Sequence, residues 1–161
     1  MNDSSSAWDT QVRPAERADL DFIVACNRAM AAETEDEALD AVTLSRGITY
    51  LMDHPAEGFY LVAQHQYKPV GTLMVTFEWS DWRAGRFWWI QSVYVLPDYR
   101  RRGVYSVLHD SVRKQAQTDH LSCGIRLYVE QDNQTAQKTY RHMGMHETHY
   151  RLYEELFSQQ S

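Results

Sequence analysis

The stretch "VYVLPDYRRRGVYSVL", residues 93–108, joins two different periodic patterns. It opens with a run of β-branched, aromatic and aliphatic side chains, which is typical of a strand. Pro97 interrupts that run, and beyond Gly103 the apolar residues Val104, Val107 and Leu108 repeat at intervals of three and four. Such intervals are those of an amphipathic helix. The sequence therefore predicts a strand, a proline-containing turn and a helix that begins at or near Gly103.

A turn of this kind is suited to bind a phosphate group. The first N–H groups of a helix have no intrahelical acceptor, and the positive end of the helix dipole attracts an anion. Gly103 lets the main chain approach a ligand, and Arg100, Arg101 and Arg102 supply charge-assisted donors. The turn fits neither the Gly-x-x-x-x-Gly-Lys-Ser/Thr loop nor the Gly-x-Gly-x-x-Gly dinucleotide pattern. The residues alone leave open that it is an exposed basic turn before an ordinary helix.

The composition restricts the class of protein. The chain has 161 residues, 43% of them hydrophobic, which suits a single domain over residues 10–161 after a disordered tail over residues 1–9. A net charge of −6 argues against general binding of nucleic acid or of an anionic membrane. No window approaches the roughly 18 apolar residues of a membrane span, and the start lacks a secretory signal pattern. We therefore expect a soluble, cytoplasmic protein in which Cys26 and Cys123 are reduced thiols.

The order of predicted elements indicates a mixed α/β fold. Only some of the connections between strands are long enough for parallel crossovers, so most of the sheet is expected to be antiparallel. The predicted strands are a short one ending at Pro14, a hairpin over residues 58–66 and 68–80, and runs over residues 87–97, 125–130 and, as a terminal pair, 145–157. The predicted helices begin near residues 20, 40, 103 and 133.

Two motifs resemble a known family. The segment "SVYVLPDYRRRGVYSVLHDSV" resembles the coenzyme A signature of the GNAT acetyltransferase superfamily, Gln/Arg-x-x-Gly-x-Gly/Ala after a strand ending in Pro, with Arg100 and Gly103 at its first two fixed positions. The segment "LYVEQDNQTAQKTYRHMGM" resembles the later segment of that family, in which Asn, Ala, Tyr and Gly recur along one helix. Those positions correspond to Asn133, Ala136, Tyr140 and Gly144. The resemblance covers about residues 11–157.

The resemblance implies a fold and a cosubstrate. It implies a mostly antiparallel central sheet flanked by about four helices, with splayed central strands where acetyl-CoA binds, and no metal. By resemblance the cofactor contacts are Val93, Tyr94 and Val95 through their main chain, the turn Arg100, Arg101, Arg102, Gly103, Val104, Tyr105 and Ser106, and Asn133. Asn133 is also suited to be a helix N-cap.

Two positions in the motifs carry alternatives. Tyr140 aligns with the family tyrosine taken as the general acid, although a tyrosine there also suits a half-buried core position. Tyr105 stands where the family has its second Gly or Ala. Its main-chain N–H is retained, but its side chain would have to turn away from the pyrophosphate of the cofactor.

The acceptor side is less specific. Gln91 and Ser92 stand where diamine-type members often carry acids, so Glu33, Glu78 or Asp81 would act as base or acceptor contact through water, or the amine would lose its proton to solvent. The acidic segment "AAETEDEALD", residues 31–40, and the nearby Trp79, Trp82 and Trp88 suit a cationic amine, but a solvated charge run and core tryptophans are the alternative. Amino-acid, aminoglycoside and protein N-terminal acceptors stay open. The histidines at 142, 146 and 149 are not expected to form a metal site, because Gly144 interrupts their helix.

These inferences combine into one hypothesis and two rivals. The hypothesis is an N-acetyltransferase that moves an acetyl group from acetyl-CoA to the primary amine of a small acceptor, polyamine-like or an amino acid, within a ternary complex. No cysteine stands at a motif position to carry the acetyl group covalently. The rivals are a non-catalytic acyl-CoA sensor or scaffold, and a nucleotide or phosphosugar binder. We expect a small-molecule partner, neither nucleic acid nor membrane, and allow for a homodimer.

Overall fold

The structure is a computed structural model that describes residues 9–158. The chain divides into two compact units, Met1–Leu127 and Tyr128–Ser161. All but Asp9 of the tail predicted to be disordered lies outside the described residues. The single domain over residues 10–161 stays a prediction.

The first unit is built on a five-stranded sheet whose strands lie in chain order. The first four strands pair antiparallel, and the last pair is parallel. The turn between the second and third strands has positive φ at both Gln66 and Tyr67, 48° and 65°, the conformation that matches the twist of a hairpin. The strands are β1 (Thr10–Pro14), β2 (Gly58–His65), β3 (Lys68–Ser80), β4 (Gly85–Val95) and β5 (Ser122–Arg126).

Helices cover both faces of this sheet. The helices α1 (Leu20–Glu35) and α2 (Ala41–Asp53) pack on one face, and α3 (Val104–Thr118) packs on the other. Successive residues of β2 show the alternation, because Tyr60 joins the α1 and α2 cluster while Leu61 joins the α3 cluster. The larger cluster contains Leu61, Ala63, Val70, Leu73, Val75, Trp88, Ile90, Val104, Leu108, Val112 and Ala116.

The parallel connection from β4 through α3 to β5 is held by one carboxylate. Asp119, the C-cap of α3, accepts hydrogen bonds through Oδ2 from Arg86 Nε at 2.9 Å and Trp88 Nε1 at 3.0 Å. Its Oδ1 accepts from the Leu121 main-chain N–H at 3.0 Å. Desolvation by itself would raise the pKa of Asp119, but these hydrogen bonds and the Arg86 charge lower it. The three contacts fix where α3 ends relative to both strands.

The second unit contains α4 (Gln134–His142). Asn133 caps its start, because its Oδ1 accepts from the Ala136 main-chain N–H at 3.0 Å. Gly144, with φ of 89°, ends it: the N–H groups of Gly144 and Met145 donate to the carbonyls of Arg141 and Tyr140. That pair of bonds is the Schellman motif, which favours glycine in the left-handed conformation. The predicted interruption of this helix at Gly144 is confirmed.

Two of the strand predictions are wrong. The strand predicted over residues 125–130 lies instead at Ser122–Arg126, because it pairs with only the first half of β4, up to Trp89. The terminal pair predicted over residues 145–157 is absent, since residues 145–158 form no strand. Its apolar residues Leu152, Tyr153, Leu156 and Phe157 are exposed. A strand requires a partner edge as well as an apolar pattern, and the pattern by itself does not supply one.

Among residues 9–158, no helix is both long and apolar enough to span a membrane.

Candidate active site

The end of β4 carries a β-bulge. Tyr94 lies opposite Thr72 and Gln91 lies opposite Met74, so two residues of β4, Ser92 and Val93, face a single residue of β3. Ser92 has φ of 51°, in the left-handed region. A bulge of this kind bends the strand and increases its local twist. The last three residues of β4 therefore leave the direction of the strand before them.

The same end of β4 separates from β5. The parallel pairing begins at Arg86 and ends at Trp89, which lies opposite Arg126, the last residue of β5. Past Trp89, the edge of β4 that faces away from β3 has no partner in β5. The main chain of Val93, Tyr94 and Val95 lies in this unpaired part, so the predicted splayed central strands are present.

The turn after β4 leads directly into α3. Pro97–Tyr99 forms a short 3₁₀ turn, and Gly103, with φ of 79°, is the N-cap of α3. The first main-chain bond of the helix joins the Val107 N–H to the Gly103 carbonyl at 3.1 Å. The N–H groups of the three residues between them therefore precede the hydrogen-bonded part of the helix. The predicted helix start at Gly103 is confirmed.

Gly103 is required by its backbone conformation rather than by crowding. A Cβ added at this position would meet no atom of residues 9–158 within 4 Å, so the space beside Gly103 is open in the described part of the chain. The left-handed φ is the reason that a glycine stands here. Open space next to helix-start amides is what an anionic group needs in order to approach.

All three arginines of the turn are exposed, and Arg100 in addition makes defined contacts with β4 and α1. Arg101 and Arg102 are exposed, and Arg101 has φ of 60°. Arg100 instead turns back to β4, where its Nε donates to the Val95 carbonyl at 3.0 Å. Its Nη2 donates to Glu33 Oε2 at 2.9 Å, and its guanidinium lies 5.2 Å from the centre of the Tyr94 ring. All three arginines were predicted to contact the cofactor, and the contacts of Arg100 with β4 and Glu33 were not predicted.

Tyr105 contacts a buried histidine one turn further along α3. Its Oη lies 3.1 Å from His109 Nδ1, and the two rings are edge-to-face with centroids 5.7 Å apart. Arg113 Nη2 lies 3.3 Å from His109 Nε2. Because arginine can only donate, Nε2 is the acceptor of the neutral ring and Nδ1–H donates to the Tyr105 oxygen. Burial, followed by the Arg113 charge, lowers the pKa of His109 and favours that neutral form.

The three predicted acceptor carboxylates are not brought together. Glu33 accepts a hydrogen bond from Tyr94, which lies opposite Thr72 of β3. Glu78 lies six residues beyond Thr72 on the same strand, a separation of roughly 20 Å at about 3.3 Å per residue. Glu78 accepts from Arg126 Nη1 at 2.7 Å. Asp81 accepts from the main-chain N–H of the next residue at 2.9 Å and so stabilises its own turn. Each acid has a structural partner that the sequence did not reveal.

The three tryptophans predicted to lie near the acceptor do not share one environment. Trp79 and Trp82, near the β3–β4 turn, are 60% and 87% exposed. Trp88 is buried in the α3 cluster and donates to Asp119. Trp88 is therefore a core residue, as the alternative interpretation held, and does not contribute to a cation-binding surface.

The second unit holds the two remaining site candidates. Asn133 is exposed and caps α4, as described above. Tyr140 is half-buried on the last turn of α4, and its carbonyl accepts the Met145 N–H that closes the helix. In the described part of the chain, no group of three or more His, Cys, Asp or Glu residues is arranged to hold a metal ion.

Comparison with known proteins identifies the family. The model of the acetyltransferase (GNAT) family matches residues 21–145. A possible acetyltransferase from Clostridium difficile 630 is 39% identical, with a TM-score of 0.86, and the match covers 93% of this chain and 99% of that one. No curated protein matches the sequence.

More distant structures share the fold. A predicted acetyltransferase with acetyl-CoA from Clostridium acetobutylicum is 18% identical, with a TM-score of 0.75, covering 91% of this chain and 96% of that one. A transcriptional regulator from Bacillus halodurans C-125 is 20% identical, with a TM-score of 0.79, covering 91% of this chain and 99% of that one.

The fold and the site thus define a transferase of the acyl-CoA-dependent class. The chain belongs to the GNAT acetyltransferase family. Its activity is acetyl-CoA-dependent acyl transfer, and the family resemblance found in the two sequence motifs is confirmed.

Proposed function

We propose that the protein acetylates the primary amine of a small acceptor by direct transfer within a ternary complex. The observation that carries this proposal is the bulged, unpaired end of β4, which leads within eight residues to the start of α3. In this reaction the amine nitrogen attacks the thioester carbonyl carbon, the carbon–sulfur bond breaks, the amine loses a proton and the thiolate gains one. The chain must therefore position the two reactants, stabilise the oxyanion and supply a proton.

The turn before α3 fits the pyrophosphate of coenzyme A. The main-chain N–H groups of Val104, Tyr105 and Ser106 precede the first helical bond, and the space above Gly103 is open. Arg101 and Arg102, which are exposed, would add charge-assisted donors. The bound cosubstrate supplies the activated acetyl group. The main chain of Val93, Tyr94 and Val95 would align the thioester beside β4, and Asn133 would contribute a further cofactor contact.

Tyr140 is our candidate for the general acid. This role rests on the family motif, in which a tyrosine near the thioester sulfur protonates the leaving thiolate. A phenol is suited to the task, because phenols and thiols have similar ordinary pKa values. Loss of the amine proton to solvent completes the proton balance. Glu78 and Asp81 lie about 17 Å or more along β3 from the bulged end of β4, so they would assist only through a chain of waters.

The acceptor class rests on charge. The protein has a net charge of −6, and the exposed Trp79 and Trp82 lie on the same strand and turn as the acids Glu78 and Asp81. This surface lies about 17 Å or more along β3 from the bulge, so it would attract an amine to the protein rather than hold it beside the thioester. Carboxylates and aromatic faces both attract a cationic amine. We therefore favour a polyamine-like or amino-acid acceptor, in a cytoplasmic protein that acts on small molecules; a homodimer is allowed for.

A two-part experiment tests the proposal. Binding is measured first, by the shift in melting temperature with CoA, ATP and a sugar phosphate; only CoA is expected to raise it. Release of free thiol from acetyl-CoA is then followed across a panel of diamines, amino acids, aminoglycosides and a peptide with a free N-terminus. We expect turnover with a small amine.

The role of Tyr140 is tested by a matched pair of variants. Tyr140→Phe should reduce kcat by about 10²-fold or more while CoA binding is kept, since general acid–base catalysis contributes about 10²–10⁴-fold. Tyr150→Phe, at a tyrosine that is 63% exposed in the same unit, should leave both unchanged. CoA binding without turnover on any amine would instead support a sensor or scaffold.

A further inference from the structure

The Glu33 carboxylate joins α1, β4 and the turn between β4 and α3, where we propose that coenzyme A binds. Glu33 lies in the last turn of α1, Tyr94 near the end of β4 and Arg100 at the beginning of the basic turn. These residues are 61 and 67 positions apart from Glu33 in sequence. The contact is therefore a product of the tertiary structure and does not follow from any motif.

Both oxygens of this carboxylate are already used. Tyr94 Oη donates to Oε1 at 2.6 Å, and Arg100 Nη2 donates to Oε2 at 2.9 Å. The hydrogen bond from Tyr94, reinforced by the contacts with Arg100, lowers the pKa of Glu33. Tyr94 is 7% exposed, and burial followed by the Glu33 contact raises the pKa of its phenol, so it stays a neutral donor. The two contacts hold the carboxylate in one orientation, between Tyr94 and Arg100.

The Arg100 side chain is also held by contacts with β4. Its Nε donates to the Val95 carbonyl at 3.0 Å while its guanidinium also packs beside the Tyr94 ring. Two of its donor groups are thus directed to β4 and α1 and are not available to a phosphate. Arg100 acts on the turn by fixing where the chain leaves β4.

We propose that Glu33 is a positioning residue for the cofactor. It holds Arg100 against the bulged end of β4, so that the chain enters the turn along one path and the helix-start amides, with Arg101 and Arg102, are preorganised for the pyrophosphate. Order that is present before binding reduces the entropy lost on binding. This inference rests on the proposed CoA site, and it replaces the predicted contact of Glu33 with the acceptor.

The sign of the effect distinguishes this role from simple electrostatics. Removing a negative charge near an anion site should strengthen anion binding if only the charge matters. Positioning predicts the opposite, because Glu33→Gln cannot pair with Arg100 as a carboxylate does and the turn loses its anchor. We expect Glu33→Gln to raise the Kd for CoA and the KM for acetyl-CoA about threefold to tenfold, the size suited to a half-exposed ion pair. The KM for the amine and kcat should stay within about twofold, since the loss lies in cofactor binding.

A double-mutant cycle tests the partner. If Glu33 acts through Arg100, Glu33→Gln should add little to Arg100→Gln in the Kd for CoA. Combined with Arg101→Gln, which removes an exposed charge not tied to Glu33, its effect should multiply. Glu35→Gln, at an exposed acid two residues further along the same helix, is the matched control and should leave the Kd unchanged.

Each outcome decides the question. Unchanged or tighter CoA binding in Glu33→Gln overturns the inference, and a raised KM for the amine alone would restore Glu33 as an acceptor contact. Independent effects of Glu33 and Arg100 would also overturn it. If Glu33→Gln fails to fold by circular dichroism, Tyr94→Phe is used instead. It removes the hydroxyl that holds Glu33 Oε1 and so loosens the carboxylate that pairs with Arg100, which should still raise the Kd; no change there rejects the inference.

The wild-type protein separates this inference from the proposed function. If wild-type protein does not bind CoA by calorimetry, the proposed cofactor site fails before any variant is considered. If it binds CoA but Glu33→Gln binds equally well, only the positioning role fails.

Discussion

Tyr105 stands where the family motif has a smaller residue, and its contact with His109 shows where the larger side chain lies. The tyrosine ring contacts the edge of the buried imidazole, and the imidazole in turn accepts from Arg113. This chain of contacts holds the Tyr105 side chain along α3. That it clears the pyrophosphate stays a prediction, and His109 is the residue on which that clearance depends.

The buried His109 predicts a pH dependence of stability. Because the folded protein lowers the pKa of His109, the unfolded chain takes up a proton on this residue at a higher pH than the folded chain. Stability should therefore be undiminished above about pH 6.5 and should fall as the pH decreases below it, by at most about 1.4 kcal/mol per pH unit. Urea unfolding at pH 7.5 and 5.5 should show a larger loss for wild type than for His109→Gln. Equal losses in the two proteins would show that folding does not lower the pKa of His109.

At the scale of elements, Gly47 and Gly103 allow the effect of backbone conformation on stability to be measured apart from that of steric crowding. Gly47 lies inside α2 and Gly103 caps α3, and a Cβ at either would meet no atom of the described residues within 4 Å. Only Gly103 has a left-handed φ, 79°. Gly103→Ala should lower the free energy of unfolding by about 1 kcal/mol, because an L side chain disfavours that conformation.

Gly47→Ala is the matched control for this prediction. It should raise the free energy of unfolding by about 0.5–1 kcal/mol, because alanine is the better helix former. Urea unfolding at constant pH measures both variants. Changes of the same sign would contradict the assignment of the Gly103 effect to φ.

At the scale of the whole molecule, Asp119 fastens the crossover between the parallel strands. Asp119→Ala leaves the Arg86 guanidinium and the Trp88 N–H without their carboxylate partner. We expect it to lower the free energy of unfolding by about 2–3 kcal/mol, the cost typical of unsatisfied half-buried donors. Asp110→Ala, which removes only an exposed pair with Arg113, should change stability by less than about 0.5 kcal/mol. Similar losses in the two variants would remove the special role of Asp119.

The sequence predicted correctly those helices and strands that are specified by residues within the element or at its ends. The apolar repeat after Gly103 predicted α3, Asn133 and Gly144 mark the two ends of α4, and the β-rich runs before and after Gln66 predicted the hairpin. The strand at residues 122–126 was displaced in the prediction because its limits depend on where β4 stops pairing. The terminal strands failed for a related reason, since no partner edge can be derived from an apolar pattern.

The sequence by itself determined the family, the turn that leads into α3 at Gly103 and most of the secondary structure, because each depends on residues that are close together in the chain. Tertiary structure alone decided the contact between Arg100 and Glu33, which lie 67 positions apart in sequence. It also decided that Trp88 is a core residue and that Glu78 pairs with Arg126. A charge or an aromatic ring has the same letter whether it faces solvent, a ligand or a partner side chain. Only the packing of α1 and β4 around the turn assigns Arg100 and Glu33 to each other.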